Sequence, residues 1–274
     1  MGFMDFETDQ IEEVMVETIE LQSALLDRTV RIDFYQSGCS GADTEVSLLL
    51  FNDGQDLVKM DFKRLLDRFN GGKLIKPLLV AGIHCGPGRM NEYGVASGPD
   101  YLGRGAKAAM YEQFIITELL PFINNRFEQY IIRERAFAGF SLGGLSAMDI
   151  TWNNPDLFSK TGVFSGSLWW RSVSQTDKAY NQSAHRLMHA QIRGAEFRPG
   201  MKFFFQCGEL DETQDRNKNG VIDSIDDTID LMRELVKKGY HEGRDFYYLQ
   251  VPDGKHDTAS WSKAIPTFLK WGWG

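Results

Sequence analysis

Three side chains in this sequence are of the types that together make an alcohol nucleophilic. Ser141 lies in Gly139-Phe140-Ser141-Leu142-Gly143, with the small, apolar run Ala136–Phe140 before it and Leu145–Ile150 continuing at helical spacing. A serine hydroxyl attacks a carbonyl only when a base takes its proton, so the pattern calls for a histidine and a carboxylate. Glycines flanking the serine suit a tight strand-to-helix turn, where side chains would strike the neighbouring strand and helix. In such a turn the N–H of the next residue, Leu142, faces a developing oxyanion. Ser40 and Ser165 also have glycine neighbours, but neither completes the pattern.

The partners are expected beyond strand ends further along the chain. Met201–Cys207 opens into Gly208-Glu209-Leu210-Asp211-Glu212, and Asp245–Val251 opens into Pro252-Asp253-Gly254-Lys255-His256-Asp257. Serine, then acid, then histidine, each just past a strand, is the order of an α/β-hydrolase. Asp211 then orients His256, with Glu209 and Asp253 as reserve acids, and His256 shuttles the Ser141 proton. A second oxyanion donor is expected where the apolar strand Leu78–Ile83 ends, from the backbone N–H of His84 or Cys85. His185 and His189 are four apart on an expected helix. They lack the glutamate of a metalloprotease helix, which favours packing over zinc.

A second pattern starts four residues past Asp211. From Asp215 to Asp226 the spacing is that of an EF-hand loop. Asp215, Asn217 and Asn219 stand at positions one, three and five, Gly220 at six, Val221 at seven and apolar Ile222 at eight. Alternating oxygens suit a hard cation, and Val221 would add its carbonyl, so a structural Ca2+ is expected. Asp226 at position twelve is shorter than the usual glutamate, which weakens bidentate ligation. The competing reading is an Asx-rich surface turn leading into the helix Asp226–Lys238.

These residues need a scaffold, and the patterning supplies one. Residues 17–36 and 44–52 alternate as a leading antiparallel meander. Asp56–Phe69 has helical spacing and stops at Gly71-Gly72. Leu78–Ile83 is apolar throughout, as a strand covered on both faces must be. Lys107–Phe127 reads as a long helix interrupted at Pro121, followed by the nucleophile strand, its helix and the strand Thr161–Ser165. Strand alternating with helix from about residue 75 implies a mostly parallel sheet with helices on both faces. No repeat or linker divides the 274 residues, so one α/β-hydrolase domain is expected, with 166–200 as a cap-like segment shaping the pocket and 211–226 as an insertion.

Composition narrows the partners. Thirty basic against 38 acidic residues give a net charge of −8, with no basic stripe for nucleic acid. Cys39, Cys85 and Cys207 are too few and too scattered for a disulfide framework. No run is long enough for a membrane span. The acidic start lacks the regions of a signal peptide, leaving cytoplasmic and exported locations both open. Trp169 and Trp170 follow a strand near the nucleophile and could wall a pocket, or pack as ordinary core. Arg89, Tyr93, Tyr101 and Arg104 could line the cleft mouth and hold an acidic or polyhydroxylated ester, unless Arg89 simply pairs with Glu92 three residues on.

Several stretches together resemble the Putative esterase family of α/β-hydrolases, which includes enterochelin esterases, feruloyl and acetyl-xylan esterases and S-formylglutathione hydrolases. They are Gly139–Gly144, Ser165-Gly166-Ser167-Leu168-Trp169-Trp170, Gly208-Glu209-Leu210-Asp211, and Gly254-Lys255-His256-Asp257 with Trp261 after it. Arg89-Met90-Asn91-Glu92-Tyr93 and Asp100-Tyr101-Leu102-Gly103-Arg104-Gly105 add to the likeness, which spans about 75–270. The Ser-Gly-Ser-x-Trp-Trp run leans toward the enterochelin-esterase-like branch. The resemblance implies the Ser141, Asp211 and His256 triad and a small-molecule ester substrate, siderophore-like or carbohydrate-linked, with no cofactor in the chemistry. S-formylglutathione-type thioester cleavage and acyl transfer come next. A calcium-stabilised binding domain without chemistry is the alternative of another class.

Overall fold

In a computed structural model, residues 13–37 and 44–274 are described. Cys39 and Ser40 lie outside them. Eight strands form one sheet in the order β1-β2-β4-β3-β5-β6-β7-β8. They are β1 (Met15–Ser23), β2 (Arg28–Gln36), β3 (Thr44–Asn52), β4 (Leu78–Ile83), β5 (Tyr130–Phe140), β6 (Lys160–Phe164), β7 (Lys202–Leu210) and β8 (Phe246–Lys255). β1 and β2 pair antiparallel, and β2 pairs antiparallel with β4. All pairings from β4 onward are parallel.

The antiparallel meander is therefore shorter than the alternation implies. β3 is not part of it: it lies between β4 and β5 and runs parallel to both. The reason is visible in its burial. Val46 to Asn52 are all buried, so β3 is covered on both faces, as an interior parallel strand is.

Period-two alternation divides the strand side chains between two cores. Leu48, Leu50, Phe137, Phe203 and Phe205 face one, while Leu49, Phe51, Phe140 and Phe204 face the other. The helices are α1 (Gly54–Lys59), α2 (Phe62–Gly71), α3 (Arg89–Glu92), α4 (Ala108–Gln113), α5 (Leu120–Arg126), α6 (Leu142–Asn153), α7 (Gln182–His185), α8 (Leu187–Gly194), α9 (Asp223–Lys238) and α10 (Thr258–Trp273). α2 and α10 cover the second core; α4, α5, α6, α8 and α9 cover the first. The expected interruption at Pro121 is a π-helical segment over Phe114–Leu119 joining α4 to α5. The wider turn just ahead of Pro121 accommodates its missing N–H and its ring.

α6, directly behind Ser141, is buried from Leu142 to Trp152. It therefore shows no amphipathic stripe, and its position is set from every side. Its start is set most tightly of all. A Cβ on Gly139 would run into the Gly143 carbonyl, and one on Gly143 would lie 2.7 Å from Asp53 Oδ2. Among the described residues no helix is long and apolar enough to cross a membrane.

Candidate active site

Ser141 sits between β5 and α6 with φ 53° and ψ −120°, a backbone shape that L-residues rarely adopt. The turn holds it there. Ser141 N–H donates to Phe164 O (2.8 Å), and its own carbonyl accepts from Ser167 N–H (3.1 Å) and from the first turn of α6. Leu142, first in that helix, has an N–H with no partner among the described residues, as one oxyanion donor requires.

Asp211 lies just past β7, and His256 between β8 and α10. Both line the cavity of about 330 Å³ that Ser141 opens into. Ser165, Gly166, Ser167, Trp169, Glu212 and Ser224 complete its wall. The two reserve acids are elsewhere: Glu209 is exposed and accepts from Gln250 Nε2 at 3.0 Å, and Asp253 is exposed near the end of β8. Asp211 Oδ2 accepts the Gly208 N–H at 3.0 Å. Burial pushes Asp211 up, while that N–H, Ser165 and the charge of His256 pull it back. Desolvation at the cavity lowers His256 below the usual 6.5, with Asp211 opposing, although the residue as a whole is exposed. The ring is then neutral at pH 7, the form that accepts a proton. It makes no hydrogen bond to any described residue in this resting arrangement. Its Trp261 contact is edge to face, with ring centroids 5.2 Å apart.

The second oxyanion donor is not where the sequence places it. The His84 N–H donates to Arg31 O (2.9 Å) and the Cys85 N–H to Gln55 Oε1 (3.1 Å), so both are already engaged. The topology gives the reason: β3, not β4, neighbours the nucleophile strand. The loop that ends β3 lies against the elbow, where Asn52 Nδ2 donates to Gly143 O at 2.9 Å. The N–H groups of Gly54 and Gln55 there have no partner among the described residues.

The other candidates separate into wall and framework. Trp169 lines the cavity, whereas Trp170 is fully buried in the core. Tyr93 is fully buried too, with its hydroxyl accepting the Asp53 N–H, so it is no part of a cleft mouth. Arg89 does not pair with Glu92. It grips Asp53 through Nε (2.8 Å) and Nη2 (2.7 Å), while Glu92 takes Arg28. Arg104 is bound to Asp100 beneath the Trp169 and Trp170 rings, and Tyr101 is exposed outside the cavity wall. His185 and His189 share no helix, because Arg186 between them is extended. His189 is wholly buried against Asp227 O, and burial lowers it to about 3. Ser165, Ser167, Glu212 and Ser224 are wall residues that sequence reasoning missed. The Ser-Gly-Ser triplet just past β6 was the available signal for the first two.

In the 215–226 loop the oxygens turn inward onto the loop's own donors. Asp215 accepts the N–H groups of Asn219 (3.1 Å) and Gly220 (2.9 Å), and Asp226 Oδ2 accepts both Asn217 Nδ2 (2.7 Å) and Asn219 Nδ2 (3.0 Å). The carbonyl position, Val221, follows Gly220 at φ 85°. Among the described residues no three His, Cys, Asp or Glu side chains gather as a metal site.

Strand order and the strained serine turn define an α/β-hydrolase. Over residues 24–271 the sequence matches the family described as Putative esterase, and the chain belongs to it. The fold is similar to that of the enterobactin esterase FES from Shigella flexneri (TM-score 0.71, 19% identity, 94% of this chain and 58% of that one). It is similar also to the siderophore hydrolase EstB from Aspergillus nidulans (0.67, 17%, 93% and 94%). An IroE-like serine hydrolase from Shewanella oneidensis gives 0.67 at 18% identity, over 93% of this chain and 80% of that one. This chain thus spans little more than half the length of the Shigella protein.

Proposed function

We propose that the chain is a serine carboxylic-ester hydrolase. The observation that carries this reading is the meeting of Ser141, Asp211 and His256, from the ends of three strands, on one cavity. In the proposed cycle His256 takes the Ser141 proton as Oγ bonds to the ester carbonyl carbon. The proton then passes to the leaving alkoxide as the carbon–oxygen bond breaks. Water attacks the acyl-enzyme, giving a proton to His256 that returns to Oγ as the acid leaves. The Leu142 N–H and one from Gly54 or Gln55 hold the oxyanion, each contributing about 3 kcal/mol to the transition state.

The wall favours a substrate with hydroxyl groups and an aromatic or sugar face. Ser167 and Ser224 offer hydroxyls, Glu212 a carboxylate and Trp169 a ring, and among the described residues no lysine or arginine lines the cavity. Siderophore-like and carbohydrate-linked acyl esters fit that chemistry, and the siderophore hydrolases of similar fold point the same way. S-formylglutathione-type thioesters are the second reading within this class, and Arg89, which faces His256, is the cation that could meet their carboxylates. Calcium in the 215–226 loop is proposed as a structural ligand only, supported by the loop spacing and by the convergence of Asn217, Asn219 and Asp226 side chains.

One observation favours the non-catalytic reading: the His256 ring makes no hydrogen bond to any described residue. Labelling of the native protein with a fluorophosphonate separates the two. Modification of Ser141 supports the enzyme, and an unmodified Ser141 supports the binding domain.

A further inference from the structure

Trp261 contacts His256 itself and a residue next to Ser141, and reaches toward Asp211 through Ser165. One face stacks on Phe140, the residue before Ser141, at 4.8 Å and 15°. Its ring also meets the His256 imidazole edge to face, at 79°. Its indole N–H donates to Ser165 Oγ at 2.9 Å. The ring is buried, and its backbone is fixed by the first turn of α10. There Trp261 N–H donates to Asp257 O (3.1 Å), Ser260 N–H to Asp257 Oδ1 (2.8 Å), and Lys255 N–H to Ser260 Oγ (2.7 Å). The same turn therefore sets both His256 and Trp261.

Ser165 is the other half. It is 2% exposed and holds φ 47°, a left-handed shape that serine enters only under constraint. Its N–H donates to Gln206 O of β7 at 2.7 Å, which ties it to the strand that carries Asp211. An indole N–H can only donate, so Ser165 Oγ accepts from Trp261 and must send its own proton elsewhere. Asp211 Oδ1 is the group in want of it: buried, and without a hydrogen bond of good geometry among the described residues. The Ser165 hydroxyl lies close enough to favour the ionised carboxylate.

We propose that Trp261 and Ser165 are a positioning pair, in which the indole N–H aims the Ser165 hydroxyl at Asp211 while the ring fixes the tilt of His256. The proposal rests on the esterase reading of the triad. Neither residue touches the reacting atoms; both act through Asp211 and His256. The charged groups facing His256 are Asp211, Arg89 and Asp257, and removing Ser165 or the indole N–H deletes none of these charges. Loss of the Ser165 donor raises the proton affinity of Asp211. That moves the acid limb of the rate profile to higher pH, whether the limb reports Asp211 or the imidazolium it stabilises.

The test is the pH dependence of kcat and KM for p-nitrophenyl acetate, alongside the rate of fluorophosphonate labelling, in four variants. They are Ser165→Ala, Ser165→Gly (which relaxes the left-handed backbone and protects folding), Trp261→Phe and the Ser165→Ala/Trp261→Phe double variant. Expected are a fall in kcat of about tenfold or more for either Ser165 variant, KM within about twofold, and an acid limb displaced upward. Trp261→Phe should move both in the same direction but less. The double variant should be no worse than Ser165→Ala, since Trp261→Phe keeps an aromatic ring beside His256 and removes only the N–H to that hydroxyl. Wild-type kcat and pH profile in Ser165→Gly, or additive effects in the double variant, overturn the pair while leaving the triad standing. A wild type that neither turns over nor labels refutes the triad, and the pair falls with it.

Discussion

The two ends of the sheet carry cavities of opposite character. At the carboxyl ends of the strands the cavity holds about 330 Å³, and two of its lining residues, Ser141 and Ser165, have left-handed φ. At the amino ends a larger cavity of about 550 Å³ is lined by Ser47, Lys76, Glu134, Lys160, Lys202 and Trp273 among others. None of its lining residues is left-handed. Lys160 there is buried between its partner Glu134 and the Trp273 ring, with Ser47 Oγ also on Glu134. Size does not distinguish the candidate active site; conformational strain and convergent polar groups do.

Four outcomes sharpen that contrast. Ser141→Ala should lower p-nitrophenyl acetate turnover about a thousandfold or more while the melting temperature stays within a few degrees. Retained turnover would move the chemistry to another part of the molecule.

Asp149, buried in α6 behind the elbow, should dominate pH-dependent stability. Burial pushes it up to about 7, against the donors Ala96 N–H (2.7 Å) and Gln191 Nε2 (2.9 Å). A raised carboxyl keeps its proton in the fold after the unfolded chain has lost it. Its contribution is therefore complete below about pH 4 and disappears as pH rises through about 7, some 2–4 kcal/mol in all. Urea unfolding of wild type and Asp149→Asn across pH 4–8 measures the difference. Parallel curves would remove Asp149 from the account.

At the opposite end, Lys160→Met should cost about 1–2 kcal/mol, because Glu134 is left half-buried without its partner, and kcat should not change. A loss of kcat would erase the division between the two ends.

The smallest effect is expected from calcium. With aspartate at the twelfth position, millimolar calcium should raise the melting temperature by about 2–4 °C over a chelated sample. Identical melting curves with calcium and with chelator would reduce the 215–226 loop to a self-satisfied turn.

Local chemistry was the most legible part of the sequence. The Gly-x-Ser-x-Gly turn, the acid past β7 and the histidine past β8 are short segments whose residue types state their geometry, and Asp211 and His256 do share a cavity with Ser141. The order of strands was not legible. β4 is apolar throughout and β3 carries the apolar run Leu48–Phe51, and nothing in either shows which one neighbours β5, so the free N–H groups beside Ser141 were expected after β4 and lie, among the described residues, after β3 instead. Burial of single aromatics was equally hidden. Tyr93 and Trp170 carry the same chemical signal as Trp169, yet only Trp169 reaches the cavity. Arg89 shows the limit of short-range pairing, since its partner Asp53 is 36 residues distant while Glu92 is three.

Asp227 receives guanidinium groups from two sides, Arg186 Nη1 at 2.7 Å and Arg216 Nη2 at 2.6 Å, almost sealed from solvent. Arg186 belongs to the stretch carrying Trp169, and Arg216 to the loop after Asp211. The two segments that contribute Trp169 and Asp211 to the cavity wall are therefore clasped by one anion on a third element, α9. Removing that single carboxylate would loosen both segments at once, so one buried charge sets the spacing between Trp169 and Asp211.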